Sequence, residues 1–167
     1  MKKYQNVALT IFIIILILAG FIWFFSLGLQ NKDSDLSSTN GVLNSEESFF
    51  DFGTISMAAG KVSHTFKIKN TGPESLTITK IYSSCMCTEA TFVKGDIKKG
   101  PFGMLGHGFI PKISQTLEPN EEAQIEVVFD PAAHGPAGLG KTERVVYLEN
   151  SRKSGHLELL IKANVAP

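Results

Sequence analysis

Cys85, Met86 and Cys87 put two thiols two positions apart, and they are the only two cysteines in a chain of 167 residues. In an extended segment, two steps of about 3.3 Å place both side chains on one face, with Cα atoms about 6.6 Å apart. Two thiolates placed this way pinch a soft ion such as Cu(I). The same spacing sits near the upper edge of disulfide geometry, and so short a loop would strain the bridge. The pair can also serve simply as small buried hydrophobes or as an oxidised structural clip. Further along, residues 100–108 read Gly-Pro-Phe-Gly-Met-Leu-Gly-His-Gly, which sets Met104 and His107 in a flexible stretch. A thioether and an imidazole beside a dithiol make a copper set, so Cys85, Cys87, Met104 and His107 are the candidate metal ligands. Zinc would accept the thiolates and the imidazole, but thioethers select against it.

The other histidines have plainer expectations. His64 falls on the inward face by alternation and reads as a core histidine. His134, four residues after Asp130 and followed by Gly135 and Pro136, either fixes a loop or approaches the site. His156 reads as a hairpin-turn residue. Residues 135–141, GPAGLGK, lack the Gly-Lys-Ser/Thr ending of a phosphate-binding loop. No Ser/His/Asp motif and no paired-carboxylate arrangement stands out, so hydrolase chemistry is not expected. Thiol-disulfide enzymology through Cys85 and Cys87 lacks the Cys-x-x-Cys on a βαβ frame of thioredoxin-like proteins. The chain is therefore expected not to be an enzyme, with thiol-disulfide chemistry a minor alternative.

Composition narrows the partners. Lys and Arg number 16 and so do Asp and Glu, giving a net charge of +0. Nucleic-acid binding needs a surplus of clustered cations, so no nucleic-acid partner is expected. No small-molecule substrate is indicated either. Hydrophobic residues make up 43% of the chain and phenylalanine alone 12 positions, enough for a real core.

Residues 7–29 read VALTIFIIILILAGFIWFFSLGL without a charged side chain. At 1.5 Å per residue this run crosses a hydrocarbon layer of about 30 Å. A cleaved signal peptide would have a shorter apolar region, about 7–15 residues, ending at small residues, whereas Trp23, Phe24 and Phe25 crowd this exit. A retained single-pass anchor is expected. Lys2 and Lys3 precede it, which places residues 1–6 in the cytoplasm and the rest outside the cytoplasmic (inner) membrane, in the periplasm. All 16 acidic residues and all but two of the 16 Lys and Arg lie beyond the run, so the outer part is weakly acidic and not a polybasic lipid binder. Residues 30–47 are rich in Ser, Asn and Asp and read as a solvated linker.

From residue 48 to 167 the apolar residues recur with period two, the mark of strands with one buried face. Phe50, Phe52 and Ile55 open the domain. Val62, His64, Phe66 and Ile68 alternate with Ser63, Thr65, Lys67 and Lys69. Asn70-Thr71-Gly72-Pro73 is a turn signal, and Leu76 and Ile78 follow it. Ile125, Val127 and Phe129 form a strand ended by Asp130-Pro131, residues 145–148 another, and Leu157, Leu159, Ile161, Ala163 and Val165 a last. No helical period appears here. About seven short strands predict an immunoglobulin-like antiparallel β-sandwich.

The segments FDFGTI, VSHTFKIKNTGPESLTITKI, SSCMCTEA, LEPNEEAQIEVVFDP and KTERVVYLE, in that order, resemble the bacterial domain-of-unknown-function 1573 family. Its members are often membrane-anchored and usually carry Ser-Cys-Gly-Cys-Thr, where this chain has Met86 in place of glycine. The resemblance covers residues 49–165 and implies a sandwich related to the major-sperm-protein and pilus-chaperone group. The site is also similar to that of anchored copper chaperones of cytochrome oxidase assembly, which carry Cys-Phe-Cys-Phe near a Leu-x-Pro-x-Glu segment. Leu117-Glu118-Pro119-Asn120-Glu121 matches that segment, though no phenylalanine flanks Cys85 or Cys87.

Two functions remain in view. One is a membrane-anchored extracytoplasmic protein that holds or delivers copper through Cys85 and Cys87, for an envelope or respiratory protein partner. The alternative is a non-catalytic assembly module that recruits its partner at a sheet edge.

Overall fold

The period-two segments are strands. In the computed structural model, which describes residues 43–152 and 156–167, the chain runs β1 (Leu43–Ser45), β2 (Phe49–Ser56), β3 (Val62–Asn70), β4 (Leu76–Ser83), β5 (Thr88–Lys94), β6 (Ile97–Phe102), β7 (Gln115–Leu117), β8 (Glu122–Phe129), β9 (Gly140–Asn150) and β10 (His156–Ala166). Two five-stranded sheets result, ordered β1-β3-β8-β5-β6 and β2-β10-β9-β4-β7. Their inner faces share one core. Phe66, Ile68, Phe92, Phe102, Ile125 and Val127 from the first sheet meet Leu76, Ile78, Ile81, Leu117, Leu148 and Leu159 from the second, and each is less than 2% exposed. Alternation explains the assignment: Phe66 and Ile68 are buried while Thr65 and Lys67 are exposed.

The all-β sandwich matches the sequence reading, with two differences. Among the described residues ten strands form rather than about seven. One pairing, β2 with β10, is parallel, so the second sheet is mixed. The cause is a change of sheet near the start. β1 pairs with the far end of β3, Leu43 opposite Asn70; the chain then crosses over and β2 runs alongside the last strand, where Leu160 N–H donates to Ser48 O at 2.8 Å. β1 lies within residues 30–47, which read as linker. The expected cytoplasmic residues 1–6, the anchor at 7–29 and most of the linker lie outside the described residues. Among the described residues no helix is long and apolar enough to cross a membrane.

Both poles of the sandwich are pinned by buried polar residues. At one, the wholly buried Asn70 donates to Glu74 O at 2.8 Å and Leu117 O at 2.9 Å. Its side-chain oxygen accepts Gly72 N–H at 3.0 Å, which closes the turn that Asn-Thr-Gly-Pro announced. At the other pole, Ser83 ends β4, and its hydroxyl donates to Cys85 O at 2.8 Å. β3 spans the distance between the poles, with Val62 opposite Phe129 at the cysteine pole.

The sheet edges are blunted. β6 carries Lys98, Lys99 and Pro101 on an exposed edge, and β1 and β7 have three residues each. β2 is interrupted by a register shift at Gly53, whose φ of 67° only glycine adopts freely. Lysine, proline, shortness and bulges are the devices that stop an edge from pairing with another chain.

Candidate thiol and metal-binding site

Two connections and the strand β9 meet at the pole where β4 and β8 end and β3 begins. The turn from β4 to β5 carries the cysteines and is tied down on both sides. Ser84 N–H donates to Val145 O at 2.9 Å, and Val145 N–H returns a bond to the Ser84 hydroxyl at 3.0 Å. Thr88 N–H donates to Cys85 O at 3.1 Å, and Asp130 N–H to Cys87 O at 2.8 Å. The segment is thus a closed turn, not the extended stretch expected. The two Cα atoms stand 5.2 Å apart instead of about 6.6 Å, and Cys85 and Cys87 are joined in a disulfide. Turn geometry draws the Cα atoms well inside disulfide range, where an extended segment leaves them at its upper edge. Met86, between them, points to solvent and is 53% exposed, while Cys85 is 8% and Cys87 2% exposed.

The second connection, between β8 and β9, delivers His134. Asp130 caps it, accepting Ala132 N–H at 2.9 Å on its carboxylate, and Gly135 N–H donates to Ala132 O at 2.9 Å. The His134 ring Nε2 then lies 3.1 Å from Cys85 Sγ. A disulfide sulfur carries no proton, so in this state the ring N–H is the donor. Close packing holds the loop: a Cβ on Gly138 would come within 3.3 Å of His134 Cβ and 3.4 Å of Pro131 O.

The third contribution comes from β9. Arg144 Nε–H donates to Cys87 Sγ at 3.1 Å, and Nη1 donates to Glu143 O at 2.8 Å. Burial pushes the guanidinium below its ordinary value, yet it stays charged at neutral pH. Two weaker contacts complete the sulfur environment: Cys87 N–H to Cys85 Sγ at 3.3 Å, and the Thr88 hydroxyl 3.7 Å from Cys87 Sγ.

Among the described residues, Cys85, Cys87 and His134 bring their ligand atoms within 4.8 Å of one another. The four donors expected from spacing are distributed differently. Met104 forms an isolated backbone bridge with Ser83, two residues from Cys85, so its backbone stands at the cysteine pole. His107 sits in an exposed turn closed by its own N–H to Met104 O at 3.2 Å and is not one of the three clustered donors. His134 was visible in the sequence as a loop histidine with two possible roles, and the fold of the β8–β9 loop decides for the site. Sequence reasoning missed Arg144, although a signal was there: it shares the inward register of the buried Val146 and Leu148 in β9, where a charged residue calls for a partner. His64 corrects the expectation of a core histidine. Its ring stacks on Phe50 with centroids 3.6 Å apart, but Nε2 reaches out to the Glu47 carboxylate at 2.9 Å. It lies on the rim.

Residues 43–115 match the family model DUF1573, described as a protein of unknown function, in agreement with the resemblance seen in the sequence. No curated protein matches the chain. A solved protein of unknown function from Porphyromonas gingivalis W83 is similar in fold, with a TM-score of 0.54 at 12% identity, over 74% of this chain and 46% of that one. The chain thus spans about half the length of that protein. The YadV chaperone is aligned with a TM-score of 0.48 at 7% identity, over 75% of this chain and 53% of its own. A PapD-like domain of human CEP192 is aligned with a TM-score of 0.42 at 12% identity, over 75% of this chain and 85% of its own.

Proposed function

We propose, for a chain whose residues 43–115 carry the DUF1573 match, a copper-holding role: reduced Cys85 and Cys87 bind Cu(I), with His134 as third donor. The observation that carries this reading is the approach of two sulfurs and one imidazole nitrogen to within 4.8 Å of one another. Soft thiolates select Cu(I), and imidazole suits copper as well. Zinc in a structural site takes four donors, and three are grouped here. Two thiolates and one Cu(I) carry a net negative charge in a half-buried setting. The Arg144 guanidinium, already bonded to Cys87 Sγ, offsets that charge where desolvation would make it costly. The disulfide must first accept two electrons, because only the thiolates bind metal. Met104 is a reserve thioether at the same pole.

In the same reading residues 7–29 anchor the protein in the cytoplasmic membrane, and the sandwich hands copper to an envelope or respiratory protein on the outer side. Blunted edges weigh against recruitment by strand addition, and the exposed Met86 makes the cysteine turn the accessible contact.

Titration of the reduced full-length protein with Cu(I) against a competing chelator tests the reading. Binding of about one ion per chain, abolished in Cys85→Ser, is expected because a hydroxyl is a poor Cu(I) ligand. Unchanged affinity in Cys85→Ser would remove copper from consideration.

A further inference from the structure

The two sulfurs of the disulfide are not equivalent, and each is met by hydrogen-bond donors before any bond breaks. Cys87 Sγ faces a permanent cation, Arg144 Nε–H at 3.1 Å, with the Thr88 hydroxyl behind it at 3.7 Å. Cys85 Sγ faces the His134 ring at 3.1 Å and Cys87 N–H at 3.3 Å, with no permanent cation bonded to it. A charge-assisted hydrogen bond is roughly twice as strong as a neutral one. The permanent charge of Arg144 makes Cys87 Sγ the better place for the negative charge that appears when S–S breaks. Access points the same way. Cys87 is 2% exposed and Cys85 8%, and the neighbours of Cys85 on the surface, Met86 and His134, are both exposed.

We infer that Cys85–Cys87 is a site of thiol-disulfide exchange with an external protein dithiol, in one direction of attack: the incoming thiolate bonds to Cys85 Sγ, and Cys87 departs as a thiolate received by Arg144. In the first step the S–S electron pair moves onto Cys87 Sγ and a mixed disulfide forms between the partner and Cys85. In the second, the partner's other thiolate attacks its own sulfur in that mixed disulfide and expels Cys85. The partner loses two electrons and two protons and becomes a disulfide, and this chain gains them as two thiols. Exchange is fast when the departing sulfur is a stabilised thiolate, which is what the guanidinium supplies. Met86, uncovered between the cysteines, offers an adaptable apolar contact for the partner. The inference does not depend on copper, although the same two electrons would prepare the metal site.

A monothiol halts the reaction at its first step and so reports which sulfur is attacked. The oxidised full-length protein, in detergent with a metal chelator throughout, is mixed with glutathione, quenched with acid, alkylated and mapped by peptide mass spectrometry. Glutathione on Cys85 with alkylated Cys87, in about tenfold excess over the reverse, is expected. An even split, a majority on Cys87, or no adduct while dithiothreitol also leaves the bridge intact would overturn the inference. Arg144→Met should slow reduction by dithiothreitol about tenfold and Arg144→Lys should restore part of it, since a point cation replaces the planar donor. An unchanged rate in Arg144→Met would count against the assigned role of the guanidinium. The chelator keeps this outcome separate from the copper titration, which starts from protein already reduced.

Discussion

His134 Nε2 and Cys85 Sγ lie 3.1 Å apart, although 49 positions separate the residues in the chain. The contact exists because the β8–β9 connection folds back over the cysteine turn, with Asp130 N–H bonded to Cys87 O at 2.8 Å. The candidate donor set is thus assembled by tertiary structure rather than by a local motif. Its third member can be tested against the histidine that spacing alone suggested.

His134→Ala should weaken Cu(I) binding by about tenfold, the loss of one of three donors with both thiolates kept. His107→Ala should leave the affinity unchanged. Competition titrations on the two reduced variants check this, and the reverse order would return the third ligand to the glycine-rich stretch. His134 is exposed, so neither change should alter the unfolding midpoint appreciably.

Asn70→Ala should destabilise the protein by about 2–4 kcal/mol, read from the denaturant midpoint. The side chain is wholly buried and serves the carbonyls of Glu74 and Leu117 and the N–H of Gly72. Removing it leaves the buried Leu117 carbonyl without that partner, at about 1–3 kcal/mol, and the half-buried bonds at Glu74 and Gly72 add less. Lys67→Ala, on the exposed face of β3, should cost less than about 0.5 kcal/mol.

Acid should weaken the pole that Asn70 organises. Glu121 is held below the ordinary glutamate range, first by Glu118 N–H donating to its carboxylate and then by Lys94, with distances of 2.8 and 3.1 Å. A carboxylate whose folded value is depressed stabilises the fold above its unfolded pKa, and that stabilisation fades as pH falls through the folded value. Stability measured from pH 7 downward should therefore fall less steeply in Glu121→Gln than in the parent. Identical acid limbs would show that the pair contributes nothing, the outcome expected of a fully screened surface contact.

The anchor is tested by fractionation. With residues 7–29 uncharged, the protein should remain with membranes through an alkaline carbonate wash. Its sandwich should be open to protease from the extracytoplasmic side. Release of a soluble form beginning near residue 30 would replace the anchor with a cleaved signal.

Much of the sandwich was legible because its long strands alternate. Phe66 and Ile68 in β3, Ile125, Val127 and Phe129 in β8, and the inward series of β10 all follow period two. β5 alternates too, burying Thr88, Ala90 and Phe92, but threonine and alanine carry little apolar signal. β6 buries only Phe102 among six residues because it lies at an edge, with nothing over most of its length. β1 and β7 are too short for any period to show. At the site, the cysteine spacing was readable and its backbone was not. The turn depends on bonds from Thr88, Asp130 and Val145, and the last two, just past β8 and within β9, are distant in sequence. Arg144 reaches Cys87 only because β9 lies beside β4, Tyr82 opposite Tyr147.

The described chain begins at one pole and finishes at the other. Leu43 pairs with Asn70 at the end away from the cysteines. Ala166 lies opposite Ser56, next to Met57, whose methyl approaches Gly138 beneath the His134 loop. Pro167 O accepts the Ser56 hydroxyl at 2.9 Å. For anyone attaching a dye, an affinity tag or a solid support, the two poles are therefore unequal places for a handle. One fixed at the exposed Asn44 of β1 stands about 25 Å from the cysteine pole along the eight steps of β3. One fixed at Pro167 stands by Ser56, at the pole of the His134 loop, and would be near any visiting protein.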